Sequence, residues 1–361
     1  MSENVVFPVI EAQGTSYEIG HTHGEKARTQ ILHCLETYHI MFSSYAGLNP
    51  SRAKQAALSY LEPIESYNPD YILEMRGIAD GAGVDFEDIL MLNARSELIF
   101  QSGSPDGGCT SIAATPEATS DSVTLLSQNW DWKMTQLKSM IVLKIKQEGG
   151  RPDITMVTEG GIIGKIGMNS AGLGVCLNAL SCNEPANGLP IHIALRGILD
   201  SSHLHEAVSA ASRAKLGCCA NFLVAHSCGE ALSIEVTKSD FDALYPQNGL
   251  LIHSNHFLSS RLPVPPLRDT SKFIFPDTFM REGRAKKLAG AAAPQIDEQT
   301  LMKIYRDHTD YPSSICRHER LSDPEDKRMG TVFSIVMNLT KNSFYLCGGQ
   351  PCDGLYTLYS L

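Results

Sequence analysis

The pattern of hydrophobic and polar positions divides the chain into a helical first part and a strand-rich second part. Between Glu18 and Leu98, apolar residues recur mainly at the spacing of a helix. A small-residue loop, Gln101–Gly108, follows this part. The predicted helices cover Ala27–Tyr45, a run from an N-cap at Ser51 through Leu61, Tyr71–Ala79 and Phe86–Leu98.

After the loop, the pattern favours strands. Two helical runs over Ile191–Ala214 and a helix at Gln299–Asp307 interrupt them, and the proline-rich segment Leu262–Asp277 predicts a long loop. This order predicts a layered α+β fold with a single domain, residues 1–361. The predicted strands, with a hairpin joining the third and fourth, are Ser122–Asn129, Met140–Lys146, Ile162–Asn169, Leu173–Asn178, Asn221–Ala225, Ala231–Val236, Leu250–His253, Thr331–Leu339 and Ser343–Leu346.

The composition excludes several classes of protein. The 361 residues include 30 basic and 40 acidic ones, and the resulting net charge of −10 disfavours nucleic acid or an anionic membrane as a partner. The N-terminus lacks the basic and apolar regions of a signal peptide, and no stretch reaches the roughly 18 apolar residues that a membrane helix needs. We therefore expect a globular protein in the cytoplasm.

Cysteine usage agrees with this location. None of the ten cysteines belongs to a C-x-x-C pair, and several lie in apolar runs, as is typical of a reducing compartment. The C-terminal tripeptide Tyr359-Ser360-Leu361 lacks the central basic residue of a peroxisomal signal, which makes a peroxisomal location less favoured.

Motifs for cofactors and metals are incomplete. The glycine-rich segment Glu159–Gly174 has Glu159 and Ile166 where a phosphate-binding loop needs Gly and Ser or Thr, and Leu177 breaks the dinucleotide pattern. We expect these glycines to allow tight strand packing and a turn, and we expect no cofactor. We also expect no metal, because no zinc-ligand spacing accompanies the histidine pairs His21/His23, His203/His205 and His253/His256.

The junction between the two parts carries the candidate chemistry. Two glycines precede Cys109 in Asp106-Gly107-Gly108-Cys109, and they allow strained or positive-φ backbone geometry next to the sulfur. Downstream, Asp131 lies between two tryptophans, Asn255 follows a predicted strand, and Arg317 precedes another. A loop that merely contains a cysteine is the alternative interpretation at this point.

Several segments taken together resemble the fungal isopenicillin N acyltransferase family, also called acyl-coenzyme A:6-aminopenicillanic acid acyltransferases, within the N-terminal-nucleophile hydrolases. The similarity runs over most of the chain. The segments that carry it are Gly14–Gly24, Arg76–Ala79, Met91–Arg95, Gln128–Asp131, Thr158–Gly174 and Ile191–Arg196.

The resemblance implies a four-layer αββα sandwich and self-processing. The precursor would cut its own Gly108–Cys109 bond, giving an α subunit of residues 1–108 and a β subunit of residues 109–361 that stay together as a heterodimer. The new α-amino group of Cys109, with an ordinary pKa of about 7.7–8.0, would then act as base for the thiol of the same residue.

The same resemblance implies roles for three further residues. Asp131 would hold and orient the Cys109 amine, Asn255 would donate to the oxyanion, and Arg317 would fix the carboxylate network and favour the thiolate. One departure concerns the cleavage site, because the family reads Asp-Gly-Cys and this chain has an additional glycine. The extra residue could change the alignment of the scissile carbonyl.

The implied function is acyl transfer through an S-acyl intermediate on Cys109. The first expectation is transfer from acyl-coenzyme A, as co-substrate, to 6-aminopenicillanic acid. One alternative is an amidase or acyltransferase that acts on another small amide. The other is an unprocessed, non-catalytic relative with the same fold, acting as a binding protein.

Overall fold

The computed structural model describes residues 5–100, 108–183 and 187–361. Most of its helices precede Cys109, and most of its strands follow it. The described helices are α1 (Ser16–Lys26), α2 (Arg28–Ala46), α3 (Pro50–Ala57), α4 (Leu61–Tyr67), α5 (Pro69–Ala82), α6 (Phe86–Asn93), α7 (Arg95–Phe100), α8 (Ile191–Leu199), α9 (Leu204–Ser212), α10 (Ser271–Ile274), α11 (Thr278–Ala292) and α12 (Glu298–Ile304).

The strands form two sheets. The described strands are β1 (Val9–Gly14), β2 (Gly108–Ala114), β3 (Leu125–Trp132), β4 (Met140–Gln147), β5 (Ile154–Glu159), β6 (Ile166–Asn169), β7 (Leu173–Ala179), β8 (Ala220–His226), β9 (Glu230–Val236), β10 (Phe241–Leu244), β11 (Leu250–His253), β12 (Gly330–Asn338), β13 (Ser343–Gly348) and β14 (Thr357–Ser360).

The two sheets pack face to face between layers of helices. One sheet has the order β1-β4-β5-β6-β7-β8-β9-β10, and the other has the order β11-β2-β3-β12-β13-β14. Strands β2 and β3 contact β7 and β8 across the interface, where both sheets bury nearly continuous runs. Helices α1, α2, α8 and α9 cover the eight-stranded sheet, and α11 and α12 cover the other. This arrangement confirms the predicted four-layer αββα sandwich.

Two of the segments that carry the family resemblance meet where α1 packs on α5. A Cβ atom on Gly20 would lie 1.9 Å from the backbone oxygen of Glu74, and one on Gly77 would lie 2.2 Å from that of Tyr17. Glycine therefore lets the two backbones touch, and it does so in each helix. The glycines in these two segments are thus explained by helix packing and not by chemistry at the site.

Several predicted elements are confirmed, and others are wrong in their bounds. The predicted helix Ala27–Tyr45 is α2, and the predicted hairpin is β6–β7, closed by a hydrogen bond from Gly172 N–H to Asn169 O at 3.0 Å. The N-cap is Asn49, because its side chain accepts from Arg52 N–H at 2.9 Å, so the prediction of Ser51 is wrong.

Other predictions were wrong because an element is broken or has no periodic pattern. The predicted helix Phe86–Leu98 is interrupted at Ala94, and the strand predicted from Ile162 begins at Ile166. Strands β1, β2, β5, β10 and β14 and helices α10 and α11 were not predicted, and α10 lies inside the predicted loop Leu262–Asp277. Of the predicted loop, residues 101–107 lie outside the described residues, and Gly108 already belongs to β2. Among the helices described, none is long and apolar enough to cross a membrane.

Candidate active site

Strand pairing brings the predicted site residues together. Gly108 and Cys109 begin β2 and pair with Asp131 and Trp130 on β3. Strand β11 pairs with the other side of β2 and ends two residues before Asn255. Because neighbouring strands end at the same edge of the sheet, Cys109, Asp131 and Asn255 lie next to one another despite their separation in sequence.

Both backbone polar groups of Cys109 are bound by buried side chains. The Cys109 N–H donates to Asn255 Oδ1 at 2.8 Å, and Arg281 Nη1 donates to the Cys109 carbonyl at 2.6 Å. Arg281 Nη2 also donates to Asn255 Oδ1, at 2.9 Å. Two donors on Oδ1 fix the orientation of this amide, whose Nδ2 donates to Ala179 O at 2.9 Å. A side-chain amide carries two such protons, so the second can serve a further acceptor.

A network of alternating charges surrounds Asp131. Arg317 Nε donates to Asp131 Oδ2 at 3.3 Å, and Thr331 Oγ1 donates to Asp131 Oδ1 at 2.7 Å. Arg317 also binds Asp277, which in turn accepts from Arg281 Nε at 2.5 Å. The four charged side chains are at most 13% exposed. Pairing of every charge is what makes such burial tolerable.

Gly108 is needed for space. Gly108 lies in an extended strand and does not have a positive φ, so the positive-φ geometry expected from the sequence is not found at this position. Asp106 and Gly107 lie outside the described residues. A Cβ atom on residue 108 would lie 2.9 Å from Asp131 Oδ2 and 3.2 Å from Arg317 Nη2. Glycine therefore allows the chain preceding Cys109 to run against the charged network.

The environment of Cys109 favours the protonated thiol while the chain is uncut. Burial and the nearby charge of Asp131 raise the pKa of the Cys109 thiol to about 11, although Arg281 and Lys165 act in the opposite direction. Burial also raises the pKa of Asp131, against the effects of Arg317 and Arg281. At neutral pH this thiol would be almost entirely protonated, so attack by the Cys109 sulfur would require a base.

Arg281 and Lys165 are neighbours of Cys109 that sequence reasoning missed. Lys165 is fully buried, donates to Glu159 Oε2 at 2.6 Å, and places Nζ 3.7 Å from the centre of the Trp130 ring. Burial lowers the pKa of Lys165 to about 8, although Glu159 opposes this shift. Lys165 lies in a glycine-rich segment that matches no binding motif, and Arg281 lies on α11, whose many charged residues hide any apolar pattern. Neither residue is therefore recognisable as a site residue from the sequence.

In two of the three histidine pairs named above, one histidine is buried and lies within hydrogen-bond distance of a structural partner. His23 Nε2 accepts from Gly161 N–H at 3.1 Å, and His253 Nε2 lies 2.8 Å from Glu235 Oε1. The rings of His203 and His205 stack on the surface, with 5.6 Å between their centres. These three pairs thus have ordinary roles in packing and surface structure.

A cleft of about 390 Å³ opens beside the charged network. Arg317 and Asp277 form part of its wall, together with apolar side chains such as Met280 and Met329. A ligand in this cleft would meet both a guanidinium and an apolar surface. Most of the other lining side chains are charged or polar, so the cleft favours a ligand with polar groups.

Comparisons of the sequence with known proteins point to a family of acyltransferases. The family described as acyl-coenzyme A:6-aminopenicillanic acid acyl-transferase matches residues 118–353. The 40 kDa form of acyl-coenzyme A:6-aminopenicillanic-acid-acyltransferase from Emericella nidulans is 31% identical over 350 residues, which cover 95% of this chain and 92% of the relative.

Two solved structures share parts of the fold at low sequence identity. A variant of conjugated bile acid hydrolase from Clostridium perfringens is 13% identical, with a TM-score of 0.45 over 70% of this chain and 97% of that one. Penicillin V acylase from Agrobacterium tumefaciens is 13% identical, with a TM-score of 0.44 over 66% of this chain and 83% of that one.

Proposed function

Because the chain belongs to the acyl-coenzyme A:6-aminopenicillanic acid acyltransferase family, we propose that it is a self-processing acyltransferase whose nucleophile is Cys109. Family membership makes the chain an enzyme of the acyltransferase class. The observation that carries the proposed mechanism is the way that Cys109 is held, with Asn255 at its nitrogen, Arg281 at its carbonyl and Asp131 on the paired strand.

The proposed first step is cleavage of the chain. The Cys109 sulfur attacks the Gly108 carbonyl carbon, the Gly108–Cys109 C–N bond breaks, and the nitrogen takes up a proton. Water then hydrolyses the resulting thioester, leaving a carboxylate on Gly108 and a free amine and thiol on Cys109. The hydrogen bonds that hold the Cys109 nitrogen and carbonyl support this step, because they limit how the backbone at the scissile bond can turn.

Cleavage supplies the base that the uncut chain lacks. The new amine of Cys109 would occupy the position where the backbone nitrogen now lies 2.8 Å from Asn255 Oδ1. Its ordinary pKa of about 7.7–8.0 suits proton transfer near neutral pH. The positive charge of the resulting ammonium favours the adjacent thiolate, against the effect of burial.

The cut enzyme would then carry an acyl group on Cys109. The thiolate attacks the donor carbonyl, the leaving thiol or amine departs with the proton from the Cys109 ammonium, and an S-acyl intermediate forms. An acceptor amine or water attacks this intermediate and releases the product. We propose that Asn255 Nδ2 donates to the oxyanion, and that Asp131 and Arg317 hold the amine and the carboxylate network; loss of one oxyanion donor typically costs about 10²–10³ in turnover.

The first substrates to test are an acyl-coenzyme A donor and 6-aminopenicillanic acid as acceptor. The name of the Emericella nidulans relative supports this pair. A different small amide would use the same S-acyl intermediate.

Trapping of the S-acyl intermediate tests the proposal. Purified protein is incubated with an acyl-coenzyme A without acceptor, and the 109–361 piece is weighed by mass spectrometry. We expect one added acyl group, which 6-aminopenicillanic acid removes. Cys109→Ala should gain none, whereas Cys228→Ala, at an exposed cysteine, should behave as wild type. An acyl group on the Cys109→Ala protein would contradict the proposal, as would a cut wild-type enzyme that accepts acyl groups from neither thioesters nor amides.

A further inference from the structure

Four side chains of metal-binding type converge in the part of the chain between α12 and the turn that follows β13. They are His308, Cys316, His318 and Cys352, and their ligand atoms all lie within 4.8 Å of one another. Two thiols and two imidazoles are a donor set that structural zinc sites use. We propose that these four residues bind one Zn²⁺ in a closed, four-coordinate structural site.

The three distances from His318 Nε2 to the other ligand atoms are close to those of a tetrahedron around zinc. His308 Nε2 and His318 Nε2 are 3.1 Å apart, and His318 Nε2 lies 3.7 Å from Cys316 Sγ and 3.4 Å from Cys352 Sγ. Zinc bonds of about 2.3 Å to sulfur and about 2.0–2.1 Å to nitrogen, set at tetrahedral angles, give edges of about 3.3 Å between nitrogens and about 3.6 Å between nitrogen and sulfur. A single central cation therefore accounts for all three separations.

The backbone holds the ligands in this arrangement. Cys316 N–H donates to Asp307 O at 3.0 Å, and His318 N–H donates to Pro312 O at 3.0 Å. The ring of Tyr311 lies 5.2 Å from that of His318. Residues two apart in an extended chain face the same side, so Cys316 and His318 can both point towards one ion. The contacts above hold the loop in this arrangement.

Burial and charge also suit a structural metal. Cys316 is fully buried, whereas His308 is exposed, so an ion can enter from the His308 side and meet the thiol in the interior. Binding displaces the two thiol protons to solvent, and two thiolates neutralise the charge of Zn²⁺. A neutral centre leaves the nearby pairing of Arg317 with Asp131 and Asp277 undisturbed.

The position of the site suggests what it does. Cys316 and His318 flank Arg317 directly, and His318 also lines the cleft beside the candidate active site. A metal held by both neighbours would fix the loop that presents the Arg317 guanidinium to Asp131. The zinc would act on stability and on the placement of Arg317, and it would not touch the reacting atoms.

The test is the zinc content of the purified full-length protein, prepared under reducing conditions with zinc in the medium. We expect about one zinc per chain in the wild type, and background levels in Cys352→Ser and in His308→Ala, because each variant removes one of the four ligands. Cys228→Ser and His205→Ala remove an exposed cysteine and an exposed histidine elsewhere, and they should keep the metal. Cobalt exchanged into the wild type should show a thiolate-to-metal charge-transfer band that Cys352→Ser lacks.

A second measurement guards against misfolded variants. Because His308 is exposed, His308→Ala should fold, and its thermal unfolding temperature should equal that of wild type treated with a chelator. The chelator should lower the unfolding temperature of the wild type and leave that of His308→Ala unchanged. The proposal is overturned if folded, reduced wild type takes up no zinc, if His308→Ala and Cys352→Ser bind it as well as wild type, or if Cys316 and Cys352 form a disulfide.

Discussion

Lack of space determines which residue fits at position 108, and electrostatic interactions explain the role of Arg281. An added Cβ at position 108 would press on Asp131 Oδ2, whereas Arg281 binds the Cys109 carbonyl and lowers the pKa of its thiol against the effect of burial. The glycine was singled out from the sequence, but for a backbone conformation that it does not have. An isolated arginine gives no comparable signal, because its role depends on a helix that packs against β2.

We expect Gly108→Ala to slow cleavage of the 108–109 bond by about 5- to 150-fold, because overpacking costs about 1–3 kcal/mol and about 1.4 kcal/mol corresponds to a factor of ten. The measurement is a time course of intact mass after synthesis. Gly283→Ala is the matched control, since a Cβ there meets nothing within 4 Å. Equal cleavage rates in the two variants would show that space at position 108 is unimportant.

The effect of Arg281 on the pKa of the Cys109 thiol should appear in the pH dependence of Cys109 alkylation. We expect Arg281→Met to shift the profile of iodoacetamide labelling at Cys109 to higher pH, because a cation that lowers the thiol pKa is lost. Arg281→Lys should restore part of the shift. Arg284→Met, on the same helix but paired with Asp307, should leave the profile in place. A profile that does not move in Arg281→Met would remove Arg281 from this role.

At the scale of elements, the sequence predicts those helices and strands that carry a local periodic pattern, and it does not predict those that depend on contacts with distant segments. Helix α2 and the β6–β7 hairpin carry their own periodicity and turn, so the sequence was sufficient for them. Strand β2 consists of small residues, and α11 has charged residues along much of its length, so neither has a recognisable pattern. The four candidate zinc ligands are likewise spread over 45 residues, a spacing that no short motif describes.

His23 links α1 to the eight-stranded sheet and should make the fold sensitive to acid. Burial and the charge of Arg196 lower its pKa to about 3 from an ordinary value near 6.5. Between these values the unfolded chain binds a proton that the folded chain does not, so this contribution to stability is present above about pH 6.5 and is lost as the pH falls. At pH 5 the loss amounts to about 2 kcal/mol.

Chemical unfolding at pH 7 and pH 5 measures this effect. His23→Gln can still accept the hydrogen bond from Gly161 N–H and does not titrate, so its free energy of unfolding should fall by about 2 kcal/mol less than that of wild type. Replacing His205, which is exposed, should leave the wild-type difference unchanged. An identical fall in wild type and His23→Gln would contradict the assignment.

At the scale of the whole molecule, the residues before Cys109 are part of the sandwich. Strand β1 pairs in parallel with β4, and the Tyr38 hydroxyl of α2 binds the buried carboxylate of Glu159 on β5 at 2.5 Å. The piece 1–108 thus contributes an edge strand and much of one helical layer.

We therefore expect the two pieces to remain associated after cleavage. They should elute together from a size-exclusion column at the position of the uncut Cys109→Ala chain, and separate only in denaturant. This follows because separation would expose the core that the helical layer shares with the eight-stranded sheet. Elution of the pieces as two separate species in native buffer would be the opposite result.

The mechanism as a whole depends on whether the chain cuts itself at Gly108–Cys109. The direct measurement is the intact mass of freshly purified wild type beside Cys109→Ala and Cys228→Ala. From a chain of 39.4 kDa, self-cleavage should give pieces of about 12 and about 28 kDa in wild type and Cys228→Ala, and Cys109→Ala should remain a single uncut chain. A wild-type protein that stays whole, or a Cys109→Ala protein that is cut at the same bond, would contradict it.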